Sequence, residues 1–506
     1  TNREYFEIAL WAANQLQELT QDPTLTERAF QYAELARERL LIEQMQDREK
    51  AAMASEATRR QLASLRERRT SLQTLYFEST LFDKSNKRLT DSLETLLFDT
   101  HLSWKNLLKS IEPPKDKNAV VRLPSTDLVA LKKLLPDNQA LLEYFTGDSA
   151  IYVFILTNRG LQFFQSPRPQ DLHESIQNLR ESLTIEKLRN RQQNFLLFSE
   201  SAAKLYNALL SNPLNALPPS VNHLAIIPDG ELYDVPFELL SKANDTKNFK
   251  DFPYLLRHYT ISYANSGSLL LKQSESASKA KTPGSTPFMA FAAQYSTSDH
   301  RNKQLQSKGL KPFDDMPISR NGTKKIAETL QGGRAYLGLN ANKSQFKKQA
   351  SQGQILHLAM HTQIEGNDPM FSKFLFTQTE KDPAGENDLY AIELYDLQLN
   401  AKMAVLGACE TGLGQVRQGE GVMSLARAFA YTGVPASVVS LWMVKDGPTN
   451  DLMLGFYEQL KTGARKDDAL RQAKLNYLEK QSLSLANPYF WGGFIASGNM
   501  EPLFEN

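Results

Sequence analysis

The single cysteine of the chain, Cys409, is the residue best suited to nucleophilic chemistry. A thiolate is a strong nucleophile near neutral pH, and a neighbouring imidazole can take the thiol proton and later give it to a leaving amine. Two histidines, His357 and His361, lie in an apolar run at 355–361, and Cys409 follows His361 by 48 residues. The sequence therefore offers a His–Cys pair for acyl transfer. The alternative role for Cys409 is that of a small buried hydrophobe.

Of the two histidines, His361 is the better candidate for a general base. An even separation places both on the same face of an extended strand. His357 lies within the apolar run, which is typical of a packing histidine. His361 ends the run, shortly before the polar residues 365–368, and a base must reach solvent and substrate.

Short apolar runs that predict buried strands must position these residues. Runs at 355–360, 403–406 and 437–442 are separated by helical patterns. Strands that alternate with helices indicate a parallel sheet covered on both faces, and ligands bind such sheets beyond the carboxyl ends of the strands. Because His361 and Cys409 each follow the end of a predicted strand, we expect both at one edge of one sheet.

The chain divides into a helical part and an α/β part. No glycine occurs before Gly147, and leucines at three, four and seven spacing predict two long helices packed as an antiparallel hairpin. Short strands are predicted at 140–145, 151–156, 223–227, 260–264 and 288–292. The expected units are helices at 1–48, the long hairpin at 49–115, an α/β subdomain at 125–300 and a second at 301–506. Exposed loops are expected at 274–287 and 296–317.

Composition limits the classes of partner and ligand. The 58 basic and 57 acidic residues give a net charge of +1, which does not favour nucleic acid or an anionic membrane. Glu56 and Glu67 intersperse the arginines at 59, 60, 66, 68 and 69, which predicts a solvated helix face, so nucleic acid is expected only as an indirect partner, if at all. One cysteine excludes a disulfide within the chain and favours a reducing compartment, the cytoplasm.

Three further absences carry expectations of their own. No run approaches the roughly 18 to 20 apolar residues of a membrane span. The glycines at 412–421 lack the Gly-Lys-Ser/Thr of a phosphate-binding loop, and one cysteine cannot build a Cys/His cluster, so no cofactor or metal is expected. The chain starts at Thr1 rather than Met, from which we expect a processed or truncated piece of a longer protein.

Taken in order, the motifs of the α/β part resemble CHAT domains (caspase HetF associated with TPRs), a branch of the caspase-like peptidases. The matching segments, spread over about residues 125–500, are 141–155, 226–232, 235–240, 355–361, 406–412, 419–429, 440–442 and 488–491. A His about 50 residues before a lone Cys is also the order of caspase-type peptidases. The resemblance implies a caspase-like, mostly parallel sheet with helices on both faces and a catalytic dyad of His361 and Cys409.

The resemblance extends to the units on either side of the dyad. The α/β half before 300 lacks a cysteine and is expected to be an inactive, peptidase-like subdomain, and the half at 301–506 the active one. The helices at 1–48 resemble the end of a tetratricopeptide array. By resemblance, the backbone amides of Thr362 and Cys409 form the oxyanion hole. The family pattern has Gly directly after the dyad His, and here the β-branched Thr362 stands in its place, which restricts the turn.

Residues of the substrate groove are also implied. The strand that ends at Trp442 borders the groove by resemblance, although Trp442 is equally interpretable as an apolar residue that ends a strand. Relatives that prefer Arg or Lys before the scissile bond use a buried carboxylate. The candidates are Glu410, Glu420 and Asp446, each of which is also interpretable as a solvated or helix-capping acid.

Three functional hypotheses follow. The leading one is a bacterial, cytoplasmic cysteine endopeptidase that cuts a dedicated protein substrate and is regulated by a protein partner through the N-terminal helices; the family suggests a context of defence or cell death. The alternative is a catalytically inactive CHAT scaffold for protein–protein interaction, which Thr362 keeps open. The third is a subunit of an RNA-guided complex, for which co-purifying nucleic acid is the test.

Overall fold

A computed structural model describes residues 2–37, 50–51, 54–82, 87–111, 126–243, 245–279, 286–307, 309–365, 369–383, 385–407, 424–442 and 444–504. Three of the predicted site residues, Cys409, Glu410 and Glu420, lie outside these ranges.

The described α-helices begin with α1 (Asn2–Thr20), α2 (Pro23–Leu35), α3 (Glu56–Phe82), α4 (Lys87–Ile111), α5 (Leu128–Leu134), α6 (Leu172–Ser182), α7 (Arg191–Leu209) and α8 (Ser211–Asn215). They continue with α9 (Gly267–Lys279), α10 (His300–Ser307), α11 (Pro317–Thr329), α12 (Lys343–Gln349), α13 (Ala391–Leu394), α14 (Ser424–Tyr431), α15 (Asp446–Leu460) and α16 (Lys466–Lys480).

The described strands are β1 (Gln139–Thr146), β2 (Ala150–Thr157), β3 (Gly160–Pro167), β4 (His223–Ile227), β5 (Thr260–Tyr263), β6 (Thr286–Ala292) and β7 (Arg334–Leu337). The remaining strands are β8 (Gly353–Ala359), β9 (Thr362–Gln363), β10 (Lys373–Leu375), β11 (Asp388–Tyr390), β12 (Met403–Leu406), β13 (Ala436–Ser440) and β14 (Phe494–Gly498).

Eleven of these strands form one continuous sheet in the order β3-β2-β1-β4-β5-β14-β13-β12-β8-β6-β7. β2 is antiparallel to β1 and β3, and β14 is antiparallel to β13. All other neighbours in this sheet are parallel. The predicted α/β class, with a mostly parallel sheet after a helical region, is confirmed. β9, β10 and β11 form a separate three-stranded sheet, called the small sheet below.

Continuous apolar sequence explains the central strands. Every position of β2 and β12 is buried, and β8 is buried at all but one position. Strands covered on both faces need apolar side chains on both, so their sequences form runs rather than an alternating pattern. One hydrophobic core extends from β1 through β4, β6 and β8 to β14. The sheet therefore packs as one unit along its length.

Several local expectations were wrong or incomplete. The exposed loop expected at 274–287 begins inside α9 and ends inside β6, and the loop expected at 296–317 contains α10. A surface rich in Ser and Lys suits the outer face of a helix as well as a loop, which explains both errors. β3, β9, β11 and β14 were not predicted at all.

The two halves of the sheet meet where β14 lies between β5 and β13. Ser497 of β14 pairs in parallel with Tyr263 of β5, and Val438 of β13 pairs antiparallel with Ala496. β6 pairs with β7 and β8, so this strand lies in the half of the sheet that leads to His361.

The N-terminal helices pack on the first half of the sheet. Phe30 of α2 meets Phe154 of β2 edge to face, with ring centroids 5.6 Å apart, inside a cluster that also buries Leu10 of α1. At the end of α2, the Arg37 guanidinium lies 3.2 Å from the fully buried Glu143 carboxylate. Burial raises the pKa of Glu143 well above its usual value, and Arg37 opposes this only in part. Arg37 also donates to the Pro228 carbonyl at 2.8 Å, so these contacts hold the end of α2 on the first half of the sheet.

The long hairpin of α3 and α4 has its own small core of Leu62, Trp104 and Leu108. A second cluster joins Phe77 of α3 to Phe371 and to residues of the small sheet. Among the described residues, no helix is both long enough and apolar enough to cross a membrane.

Candidate active site

Parallel pairing of β8 and β12 builds the edge of the candidate site. Leu358 pairs with Leu406, and the Gly407 amide donates to the Leu358 carbonyl at 2.8 Å. A Cβ at Gly407 would lie 3.2 Å from that carbonyl oxygen, so this close approach favours glycine. His361 follows β8 and Gly407 follows β12, so both lie at the same edge of the sheet. Cys409 comes two residues after Gly407 in the sequence and lies outside the described residues.

The imidazole of His361 is held in one orientation. The side chain is buried, with 7% of the residue exposed. Its Nε2 lies 2.8 Å from the backbone oxygen of Asp314. A carbonyl oxygen only accepts, so Nε2 carries the proton and Nδ1 of the neutral ring keeps a lone pair. Nδ1 is buried and has no hydrogen-bond partner among the described residues.

The surroundings of His361 favour the neutral ring. Burial lowers the pKa of His361, and the hydrogen bond to Asp314 only partly opposes this effect. The rings of Tyr295 and Phe313 lie 4.7 and 5.2 Å from the imidazole, centroid to centroid. The His361 amide donates to the Tyr295 hydroxyl at 2.8 Å. A neutral, oriented imidazole with one lone pair available is what a general base requires.

Thr362 opens β9 and faces β10 of the small sheet. It lies opposite Phe374, and the neighbouring Leu375 amide donates to the His361 carbonyl at 3.0 Å. In an antiparallel ladder this makes the Thr362–Phe374 pair a non-hydrogen-bonded one. The Thr362 N–H therefore points away from β10. The residue is 1% exposed.

Trp442 lies beyond the end of β13, which stops at Ser440. The indole is buried, and its Nε1 donates to the Tyr489 carbonyl at 3.0 Å. The Arg180 guanidinium lies 5.7 Å from the ring centroid. The structure thus gives the Trp442 side chain a packing position at the end of the strand.

Asp446 caps a helix. Its carboxylate accepts from the amides of Ile318 at 2.9 Å and Ser319 at 2.8 Å, in the first turn of α11. The first amides of a helix have no partner within it and carry a partial positive charge, so a carboxylate is favoured there. The structure therefore places Asp446 in the capping role that was the alternative to substrate selection.

His357 lies in the core below the site. Its Nδ1 is 3.0 Å from the Tyr457 hydroxyl, and burial lowers its pKa to about 4. Among the described residues, no group of three His, Cys, Asp or Glu side chains is placed to hold a metal ion.

Sequence reasoning missed the residues that surround His361. Tyr295, Phe313 and Asp314 flank or fall in the stretch that was interpreted as an exposed loop. Asp314 contacts His361 through its backbone carbonyl. Any residue type could make that contact, so the sequence at this position does not indicate it. The apolar Tyr295 and Phe313 on either side of a polar segment were the only available signal.

A mostly parallel sheet with an oriented histidine at its carboxyl edge thus carries the motifs singled out in the sequence. The family model of the CHAT domain matches residues 199–499, and the chain belongs to the CHAT domain family, as the motifs predicted.

Two curated relatives are similar to part of the chain. Tetratricopeptide repeat protein 28 of Homo sapiens is 25% identical over 309 residues, which cover 54% of this chain and 12% of that protein. The Mus musculus protein of the same name is 24% identical over the same shares. The chain therefore spans only about an eighth of the length of these relatives.

Two solved structures are similar at low identity. The separase–securin complex of Saccharomyces cerevisiae has a TM-score of 0.45 and 9% identity, over 98% of this chain and 37% of that chain. Gingipain R, an Arg-specific cysteine proteinase, has a TM-score of 0.36 and 10% identity, over 66% of this chain and 75% of that chain.

Proposed function

We propose that the chain is a caspase-like cysteine endopeptidase in which His361 activates the thiol of Cys409. The observation that carries the proposal is the hydrogen bond from His361 Nε2 to the Asp314 carbonyl. That bond leaves Nδ1 as the only proton acceptor of the ring. Nδ1 has no partner among the described residues, at the edge of the sheet where β12 leads through Gly407 to Cys409.

The reaction proposed is acyl transfer in two steps. His361 Nδ1 takes the thiol proton as Cys409 sulfur attacks the carbonyl carbon of the scissile peptide bond. The imidazolium then gives that proton to the leaving amine as the C–N bond breaks, which leaves a thioester. Water, deprotonated by His361, attacks the thioester and releases the acid product and the thiol.

The oxyanion of each tetrahedral intermediate needs backbone donors. We assign this role to the amides of Thr362 and Cys409. The Thr362 N–H supports the assignment because it is directed away from the β10 ladder. A backbone donor does not need glycine, so a threonine can serve if its side chain is accommodated, and Thr362 is fully packed.

We further propose that the N-terminal helical region regulates the site through a protein partner. Phe77 of the hairpin stacks on Phe371, which packs beside Tyr390 of the small sheet, and the small sheet includes Thr362. The outer surface of the hairpin exposes apolar side chains, with Leu75 52%, Phe98 67% and Leu102 48% exposed. A partner that covers these side chains would bind the hairpin, which packs beside the small sheet that contains Thr362.

Alkylation of the lone cysteine tests the dyad directly. Iodoacetamide reacts with thiolates, and because the chain has one cysteine, the intact mass reports Cys409 alone. We expect rapid alkylation near pH 7 that falls about 10²-fold or more in His361→Ala, the usual range for a lost general base. His173→Ala is the matched control, since the His173 side chain is 68% exposed.

Cleavage is tested on a library of peptides derived from a whole proteome. New peptide termini are expected with the wild-type chain and not with Cys409→Ala. Equal termini from both proteins would contradict the proposal. Slow alkylation that is the same with and without His361 would instead support a catalytically inactive scaffold.

A further inference from the structure

A side-chain hydroxyl interrupts the backbone ladder at His361. His361, one residue before β9, lies opposite Leu375 of β10 in the same register, and the Leu375 amide donates to the His361 carbonyl at 3.0 Å. The return bond of such a pair would run from the His361 amide to the Leu375 carbonyl. Instead, the His361 amide donates to the Tyr295 hydroxyl at 2.8 Å, and that hydroxyl donates to the Leu375 carbonyl at 2.7 Å.

The direction of each hydrogen bond is fixed by chemistry. A carbonyl oxygen only accepts, so the single hydroxyl proton of Tyr295 must point to Leu375. A lone pair of the hydroxyl oxygen is then left for the His361 amide. Burial raises the pKa of Tyr295, which keeps the hydroxyl protonated and the bridge intact at any pH near neutral.

Tyr295 is itself held in place from two sides. Its amide donates to the Asp315 carboxylate at 3.1 Å, and Arg320 holds that carboxylate with both terminal nitrogens at 2.8 Å. Its ring lies against the imidazole of His361, 4.7 Å between centroids. One residue thus fixes both the backbone and the ring of His361.

We propose that Tyr295 is a positioning residue, whose hydroxyl spaces His361 away from β10 and so sets where Nδ1 lies at the edge of the sheet. The proposal rests on the proposed function for its catalytic consequence. The hydroxyl bridge itself depends only on the two hydrogen bonds of the Tyr295 hydroxyl, and not on the proposed function. Tyr295 acts through His361 and takes no part in the chemistry.

The variant Tyr295→Phe removes the hydroxyl and keeps the ring. The matched control is Tyr254→Phe, since Tyr254 is also fully buried and its hydroxyl also donates to a backbone carbonyl, that of Phe249 at 2.8 Å. Thermal melting of both variants checks that each is folded. Hydrogen exchange by mass spectrometry, on peptides that contain the His361 amide, measures whether the hydroxyl bridge protects that amide. The pH profile of iodoacetamide alkylation at Cys409 measures how loss of the Tyr295 hydroxyl affects the proposed His361–Cys409 dyad.

In the wild-type chain we expect the His361 amide to be protected from exchange. In Tyr295→Phe it should exchange faster, and alkylation near pH 7 should fall about ten- to hundredfold, as expected for a base displaced by about 1 Å. Tyr254→Phe should leave both readouts at their wild-type values. A rate lowered equally by both substitutions would mean that only general loss of stability was measured, which would overturn the proposal.

Two outcomes separate this proposal from the proposed function. If alkylation depends on His361 but not on Tyr295, the dyad stands and the positioning role is wrong. If alkylation does not depend on His361, the dyad is wrong, and exchange of the His361 amide alone decides the bridge. An amide that is unprotected in the wild-type chain, or equally protected in Tyr295→Phe, overturns it in either case.

Discussion

Phe77 of the long hairpin stacks on Phe371, with ring centroids 3.9 Å apart and ring planes 2° from parallel. Phe371 ends the short turn before β10, and β10 pairs with both other strands of the small sheet. The Phe371 ring also lies 6.2 Å from the ring of Tyr390 in β11, so the hairpin packs on a residue that borders the small sheet. That sheet contains Thr362, and its Leu375 amide donates to the His361 carbonyl. A helical region remote in sequence is one side chain away from the sheet that flanks the candidate site.

Phe77→Ala should loosen this contact. An aromatic pair contributes about 0.5–1.5 kcal/mol beyond the area it buries, so a modest loss of unfolding free energy is expected. Hydrogen exchange should quicken in residues 369–392, and the rate of Cys409 alkylation should change. Phe98→Ala is the control, because Phe98 lies on the same hairpin but is 67% exposed. If both variants match the wild-type chain in exchange at 369–392, the contact does not support the small sheet.

His357→Gln should remove a pH dependence of stability. The folded pKa of about 4 lies below the unfolded value of about 6.5, so the folded state binds fewer protons. Protonation therefore favours the unfolded chain, and the contribution of His357 is lost as the pH falls from about 6.5 to about 4. Full loss amounts to about 3 kcal/mol of unfolding free energy.

Urea unfolding at a series of pH values measures this effect. Glutamine offers the Tyr457 hydroxyl an acceptor but cannot titrate, so the variant should lose less stability on acidification than the wild-type chain. His258→Gln is the control, because His258 is exposed and lies outside the core that buries His357. A His357→Gln curve parallel to that of the wild-type chain would show that His357 is charged or solvated in the fold.

Asp388→Asn should destabilise the region around the small sheet strongly. The Asp388 carboxylate is 4% exposed and pairs with Arg301 and with Lys373, the latter at 2.6 Å. Burial opposes the charge, yet the two cations hold the pKa of Asp388 below its usual value. Removing one partner of a buried ion pair typically costs 3–5 kcal/mol, which is about the loss expected in urea unfolding.

Glu380→Gln is the matched control for Asp388→Asn. Glu380 pairs with Lys303, which lies on α10 beside Arg301, but both side chains are more than half exposed. A surface pair is worth about 0–1 kcal/mol, so this variant should stay close to the wild-type value. Comparable losses in the two variants would show that the Asp388 pairs are solvent-screened.

Sequence reasoning succeeded where one element's own residues decide its structure. β12 was predicted at 403–406 and is observed at Met403–Leu406, because a fully buried strand is a run of apolar residues with clear ends. The two helices of the hairpin were predicted from leucines at helical spacing, which is also a property of each element's own sequence. His361 at the end of β8 followed from the end of such a run.

It failed where a partner from elsewhere in the chain decides. β14 is the short stretch Phe494–Gly498, and its strand character comes from pairing with β13 and β5. The role of the Tyr295 hydroxyl depends on how close β10 comes to His361. The capping by Asp446 depends on where α11 begins in space. Neither the distance from β10 to His361 nor the position of α11 can be inferred from the local sequence.

The position of β14 sets a condition on when the sheet can form. Along the chain it is the last strand among the described residues, but in space it lies between β5 and β13. While the chain is being synthesised, those two strands leave the ribosome with unpaired edges that face one another, and unpaired edges can bind other chains. The two halves can become one sheet only after β14 has been synthesised. A nascent chain that stalls before Phe494 therefore has unpaired edges at β5 and β13.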